Sequence, residues 1–168
     1  EAGLYGVEYL VDGDNNVVKD EAVYFANQNF TLKSDIPAHN DGYFEGWSNN
    51  NNLYSAGSIV KMGSEKMSFD AVFSYELKYD LDGGTAAINN TKFFEGEKVI
   101  VTDSVPVKEG YRFKAWEDSE GNTYKAFDEI TTADKGITLK ATWVKTYTIS
   151  YYVDNTEVTE LKTVVDAG

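Results

Sequence analysis

A chain of 168 residues, 42% apolar and 14% aromatic, is long enough for one domain or two small ones and too rich in core-forming side chains for wholesale disorder. A formal net charge of −13 repels a phosphate backbone or an anionic lipid surface, so nucleic acid is excluded as a partner class. No stretch approaches the roughly 20 apolar residues of a membrane span, and the absence of cysteine excludes disulfides and thiolate metal sites.

The charge is spread rather than blocked. Residues 1–74 are net −7, residues 75–144 net −4 and residues 145–168 net −2, the pattern of a solvated surface. Twelve Tyr and nine Phe favour strands, where flat side chains pack on a pleated surface. With two Pro against fourteen Gly, most turns must rely on Gly, Asn and Asp.

In chain order, the first element is Tyr5-Gly6-Val7-Glu8-Tyr9-Leu10-Val11-Asp12. Its alternation of aromatic or aliphatic with other residues predicts a strand buried on one face. Asp12-Gly13-Asp14-Asn15-Asn16 follows with turn chemistry. The pattern returns 70 residues on as Tyr75-Glu76-Leu77-Lys78-Tyr79-Asp80-Leu81-Asp82, now with Gly83-Gly84 in the turn. It returns again after 72 more as Tyr147-Thr148-Ile149-Ser150-Tyr151-Tyr152-Val153-Asp154. Inside the first two units Phe25 matches Phe94 and Pro37 matches Pro106. Gly42-Tyr43-Phe44-Glu45-Gly46-Trp47 matches Gly110-Tyr111-Arg112-Phe113-Lys114-Ala115-Trp116 with one residue fewer, and Phe69-Asp70-Ala71-Val72-Phe73 matches Leu139-Lys140-Ala141-Thr142-Trp143. So many ordered coincidences mean an internal repeat.

The second unit therefore predicts strands near 75–81, 91–94, 112–117 and 138–143, a loop at 106–110, a hairpin closed near 119–122 and one helical turn at 125–130. The expected division is a first repeat at 1–74, a second at 75–144 and the start of a third at 145–168. Since the third breaks off about where its second strand should end, a monomeric fragment of a longer chain is expected. The junctions at Phe73-Ser74-Tyr75 and Trp143-Val144-Lys145 contain no Gly/Ser linker, which favours a stiff array over beads on a string.

The second unit resembles the Listeria–Bacteroides repeat, the internalin B-repeat type. The marks are Tyr79-Asp80-Leu81-Asp82-Gly83-Gly84, then Glu95-Gly96-Glu97-Lys98-Val99, then Pro106 with Lys108-Glu109-Gly110-Tyr111-Arg112-Phe113-Lys114-Ala115-Trp116, and the closing Leu139-Lys140-Ala141-Thr142-Trp143. The first unit departs at Asp12-Gly13-Asp14 and ends in Phe73 instead of Trp. Ala115 stands where the family usually has Gly, which Gly46 keeps. The resemblance implies a mainly β fold, α+β at most: tandem β-grasp-like modules of about four strands with at most a short helix. It implies large secreted or wall-attached bacterial proteins, a role as stalk, spacer or binding surface, and no catalytic residues to transfer.

Candidate chemistry is sparse. His39 is the only histidine, without a second His or a Cys to build a triad or zinc site, so a solvated loop residue is expected. Asp12, Asp14 and Asn16 open with calcium-loop spacing, but Val17 and Val23 stand where such a loop needs Gly and Glu. Trp47, Trp116 and Trp143 could form a sugar platform, yet their recurrence in strands points to core, leaving Tyr152 as an exposed aromatic opposite Tyr151. Asn49–Asn52 falls at a hairpin tip. Carboxylate pairs are inevitable among 28 acids, and a 70-residue module offers little room for a cleft. A Lys–Asn isopeptide bond would lower the mass, and the full mass is expected.

The reading is a non-enzymatic, extracellular, secreted or surface-attached repeat region with no catalytic, cofactor or metal residues. It serves as a rigid stalk with a possible adhesion surface, its partner a host or bacterial surface protein or a glycan. The alternative is an accessory glycan-binding module of a secreted polysaccharide-acting protein.

Overall fold

The computed structural model describes residues 3–11, 17–159 and 163–167. No α-helix occurs among them. Sixteen strands follow in chain order: β1 (Leu4–Leu10), β2 (Val17–Phe25), β3 (Asn29–Thr31), β4 (Tyr43–Asn49), β5 (Asn52–Tyr54), β6 (Ile59–Lys61), β7 (Met67–Asp80), β8 (Thr91–Phe94), β9 (Lys98–Ile100), β10 (Tyr111–Glu117), β11 (Thr123–Tyr124), β12 (Glu129–Thr131), β13 (Ile137–Ile149), β14 (Tyr152–Val153), β15 (Thr156–Glu157) and β16 (Thr163–Asp166). The fold is mainly β, as the alternating aromatic pattern requires.

The chain divides into two compact units. The first is Glu1–Tyr75 with Phe93–Gly96 and Thr132–Gly136; the second is Glu76–Lys92, Glu97–Thr131 and Ile137–Gly168. The first unit is built on the strand order β2-β1-β7-β4-β5. Strands β1 and β7 run parallel, with Val7 opposite Met67 and Tyr9 opposite Phe69. Strand β4 returns antiparallel, with Phe44 opposite Phe73 and Trp47 opposite Ala71, and a bulge lies between Phe44 and Gly46. The short pair β3–β6 closes one side, with Phe30 opposite Val60.

The second unit repeats this register. The end of β7 runs parallel to β13, with Leu77 opposite Ile137 and Tyr79 opposite Leu139. Strand β10 returns antiparallel, with Phe113 opposite Trp143, Trp116 opposite Ala141 and a bulge between Phe113 and Ala115. The pair β9–β12 sets Val99 opposite Ile130. Each pair thus recurs with the same partners and the same bulge, because alternate core residues fix a strand's register: a one-residue slip would turn every buried side chain to solvent.

Residues 125–130 do not form the expected helical turn. The amide of Asp128 donates to the Lys125 carbonyl (3.2 Å), closing a β-turn. The chain then enters β12, whose Ile130 pairs with Val99. The first core buries Val7, Tyr9, Phe30, Leu32, Trp47, Val60, Met62 and Phe69. In the second unit Leu77, Val99, Val101, Trp116, Leu139 and Ala141 are buried. Full burial of one such side chain contributes about 1.5–3 kcal/mol.

Candidate functional site

The most organised feature of either repeat is an aromatic clamp. In the first, the Tyr9 ring meets Trp47 edge-on at 4.7 Å and 62°, while Phe44 lies 5.1 Å from Trp47 and 5.7 Å from Phe73. In the second, Tyr79 meets Trp116 at 4.9 Å and 64°, and Phe113 lies 5.1 Å from Trp116 and 5.8 Å from Trp143. Edge-to-face pairs of this kind add about 0.5–1.5 kcal/mol each beyond the area they bury.

The polar ends of Tyr9, Trp47 and Tyr79 are spent on backbone. The Tyr9 hydroxyl accepts from the Lys33 amide (3.2 Å), and the Trp47 indole N–H donates to the Lys33 carbonyl (3.0 Å). Equivalently, the Tyr79 hydroxyl accepts from the Thr102 amide (2.9 Å). Burial raises the pKa of both phenols, partly offset by these amide donors. Groups held neutral and already paired do not perform acid–base chemistry near neutrality; the clamp ties the first strand of each repeat to a loop. Trp143 is only partly buried, but its indole N–H is enclosed and has no hydrogen-bond partner among the described residues. Its ring lies so close to Gly84 that a Cβ there would approach within 2.5 Å.

A second recurrence caps the closing aromatic. His39 and Lys108 each open a turn, with Gly42 donating to the His39 carbonyl (3.0 Å) and Tyr111 to the Lys108 carbonyl (3.1 Å). The His39 ring lies 5.1 Å from Phe73, and the Lys108 ammonium lies 5.4 Å from Trp143. Lys108 also donates to the Asp82 carbonyl oxygen (2.6 Å), pinning the Asp-Gly-Gly turn. The expectation of a solvated His39 is thereby corrected. Its side chain is 16% exposed, its Nε2 is 3.4 Å from Asp134 Oδ2, and Phe73 covers one face of the ring. A cavity of about 160 Å³ beside it is lined by Phe73, Tyr75, Glu95 and Asp134. Among the described residues no group of three or more His, Asp or Glu side chains gathers as a cation site.

Trp47 and Trp116 lie in the cores, where they cannot stack on a sugar. Tyr151 and Tyr152 are both exposed, although the repeat pattern places Tyr151 at the core position of Tyr9 and Tyr79. Asp12, Asp14 and Asn16 lie outside the described residues. Asn50 and Asn51 have φ of 47° and 62° and close the β4–β5 hairpin, a two-residue turn whose left-handed conformation Asn tolerates.

Carboxylates with lowered pKa are held by surface contacts. Glu8 accepts from Lys66 (2.8 Å) and the Ser68 hydroxyl (2.6 Å), Lys66 being the larger influence. Asp82 pairs with Lys140 at 2.9 Å, which lowers its pKa most, and Asp166 pairs with Arg112. Asp118 accepts from the Asn122 side chain, the amides of Asn122 and Glu120, and the Tyr124 hydroxyl, all at 2.9 Å. Led by Asn122, these donors lower its pKa to about 2. The hairpin tip was visible in the sequence, but the carboxylate that organises it was not. The fourfold acceptor role of Asp118 depends on chain direction after the turn, which spacing alone does not give.

The same strand register and the same aromatic clamp thus recur in both units. Residues 75–142 match the family model of the Listeria-Bacteroides repeat domain. A protein of Evansella cellulosilytica named as a Gly-rich membrane protein is 29% identical over 107 residues, which is 61% of this chain. The chain spans 11% of that relative's length.

Proposed function

We propose that this chain is a non-catalytic repeat region of a secreted or wall-attached bacterial surface protein, acting as a stiff stalk or spacer that can also offer an adhesion surface. The supporting observation is the recurrence of one strand register in both units, with β7 serving as closing strand of one repeat and opening strand of the next without a linker residue. A unit whose Tyr–Trp clamp is spent on its own core is suited to holding distance. The family match and the name of the long relative agree with a place at the cell envelope. The repeats at 1–74 and 75–144 and the further start at 145–168 are the proposed units.

Small-angle scattering on the monomeric chain tests this. An elongated profile that persists from low to high salt is expected, and a profile fitted by a compact sphere overturns the stalk. The glycan-binding alternative would use the exposed Tyr43, Tyr111, Tyr147 and Tyr152, the buried tryptophans being out of reach. Glycan-array hits abolished by Ala at these tyrosines would favour it.

A further inference from the structure

The first repeat holds a half-open cavity of about 240 Å³ above its aromatic clamp. Tyr9 and Trp47, both buried, lie at its base. Val18 and Ile36, 39% and 67% exposed, stand at its mouth together with Lys33 and Asp35. The Tyr9 hydroxyl and the Trp47 indole N–H are already bonded to the Lys33 backbone, so the base offers an apolar surface to an incoming group. An apolar cavity of about 150 Å³ takes up benzene, so this one has room for a phenyl ring. The second repeat displays such a ring. Phe127 is 69% exposed in the turn at 125–128 and is held there at a φ of 68°. Gly57 makes the matching turn of the first repeat at a φ of 73° with no side chain, so the fold does not call for Phe. A non-Gly residue kept in the left-handed region, with its aromatic ring in solvent, points to a contact outside its own repeat.

We propose that the cavity over Tyr9 and Trp47 receives the Phe127 ring of a second copy of this chain, forming a self-association site. Ring and charged mouth are where the repeats have diverged: Thr102 and Ser104 stand at the positions of Lys33 and Asp35, and Gly57 stands at that of Phe127. The charges are complementary. Lys125 and Asp128 flank the ring as Lys33 and Asp35 flank the cavity, so Lys33 can face Asp128 while Asp35 faces Lys125. Each copy carries one such ring and one such cavity, so the contact either reciprocates within a dimer or runs on from copy to copy. One ring buries far less than the roughly 1,200 Å² of a stable interface. The contact is therefore weak between free molecules and effective between many copies held side by side. Only this last point rests on the surface-stalk reading; the association itself does not.

Sedimentation equilibrium on the whole chain tests this. Salt of about 0.15 M shortens the reach of repulsion between copies of charge −13 to about 8 Å. A weight-average mass that climbs above 18.7 kDa as concentration rises toward about 1 mM is expected. Phe127→Gly and Ile36→Asp, both at exposed positions, should each weaken the association by about 10-fold or more. Urea unfolding confirms that both variants are folded. A mixture of the two variants should then associate again and stop at a one-to-one pair, because one brings only a cavity and the other only a ring. A chain that stays monomeric at about 1 mM would overturn the proposal. So would association that survives either substitution, or a mixture in which the variants ignore each other. Scattering at low concentration reports on the stalk by itself, so failure of one reading is distinguishable from failure of the other.

Discussion

Gly46 and Phe127 show how one position can hold the repeat's backbone in two different ways. Gly46 sits at the β4 bulge with φ of 153°, and a Cβ there would lie 2.6 Å from the Tyr54 carbonyl oxygen. Ala115, at the matching bulge of β10, is buried and its φ is not positive, so the second repeat makes the same bulge with a different backbone. Gly46→Ala is therefore expected to cost about 1–3 kcal/mol, measured as a lowered urea midpoint at unchanged m-value. Conversely, Phe127 has φ of 68° and is 69% exposed, at the turn position where the first repeat has Gly57 with φ of 73°. A non-Gly residue in this left-handed region is strained by about 1–2 kcal/mol, and the exposed ring recovers little by packing. Phe127→Gly should stabilise the protein by up to about 1 kcal/mol once the entropy of Gly in the unfolded chain is deducted, read from the same urea curves. A loss of stability would mean that the Phe127 ring has a packing partner.

At the scale of elements, the tie between opening strand and loop is the same device used twice. Tyr9→Phe and Tyr79→Phe remove only the hydroxyl, leaving the Lys33 and Thr102 amides without that acceptor in part-buried surroundings. Each change should cost about 1–2 kcal/mol, and the two costs should agree within about 0.5 kcal/mol because the geometry is shared. Thermal unfolding of the two single variants measures this. Unequal losses would show that one tie is ornamental. The longer strands were legible because period-two burial over seven or more residues is a strong signal, as in Tyr75, Leu77 and Tyr79. The short pairs β3–β6 and β9–β12 were not, since three residues with one inward side chain, such as Phe30 or Val99, carry no periodicity. The turn at 125–128 read as helical for a related reason. Its Lys125–Asp128 closure is satisfied by the Asp128 carboxylate, which accepts from the Lys125 amide at 2.7 Å, and that local bond has no sequence period. Among candidate sites, the burial of Trp47 and Trp116 followed from their recurrence. The half-burial of His39 did not, because it depends on Phe73, a residue 34 positions later in the chain.

For the molecule as a whole, charge sets how stability depends on pH, and two effects oppose each other. At −13 the folded chain repels itself, and protonating ordinary carboxylates as pH falls from 7 toward the sequence pI near 4.4 relieves that repulsion. Glu8, Asp82, Asp118 and Asp166 act in the other direction, since their folded pKa values lie below the ordinary 4.5 or 3.8. A group with a depressed folded pKa contributes stability that is fully present above its unfolded value and is lost as pH falls through its folded value. For Asp118 that window runs from 3.8 down to about 2. Lys98, Arg112 and Lys140 have raised values, so their contributions are complete across the neutral and acid range and fade only in strong alkali. The expected profile is a melting temperature that holds or rises from pH 7 to about 5 and falls steeply below about 4. Added salt should raise the pH 7 value toward the pH 5 value by screening the repulsion, and should leave the acid limb largely in place, because the contacts of Asp118 are hydrogen bonds at 2.9 Å rather than distant charges. Asp118→Asn should flatten that limb. Scanning calorimetry from pH 2 to 8 at two ionic strengths tests the scheme, and a melting temperature falling steadily from pH 7 downward would show that surface repulsion does not govern this molecule.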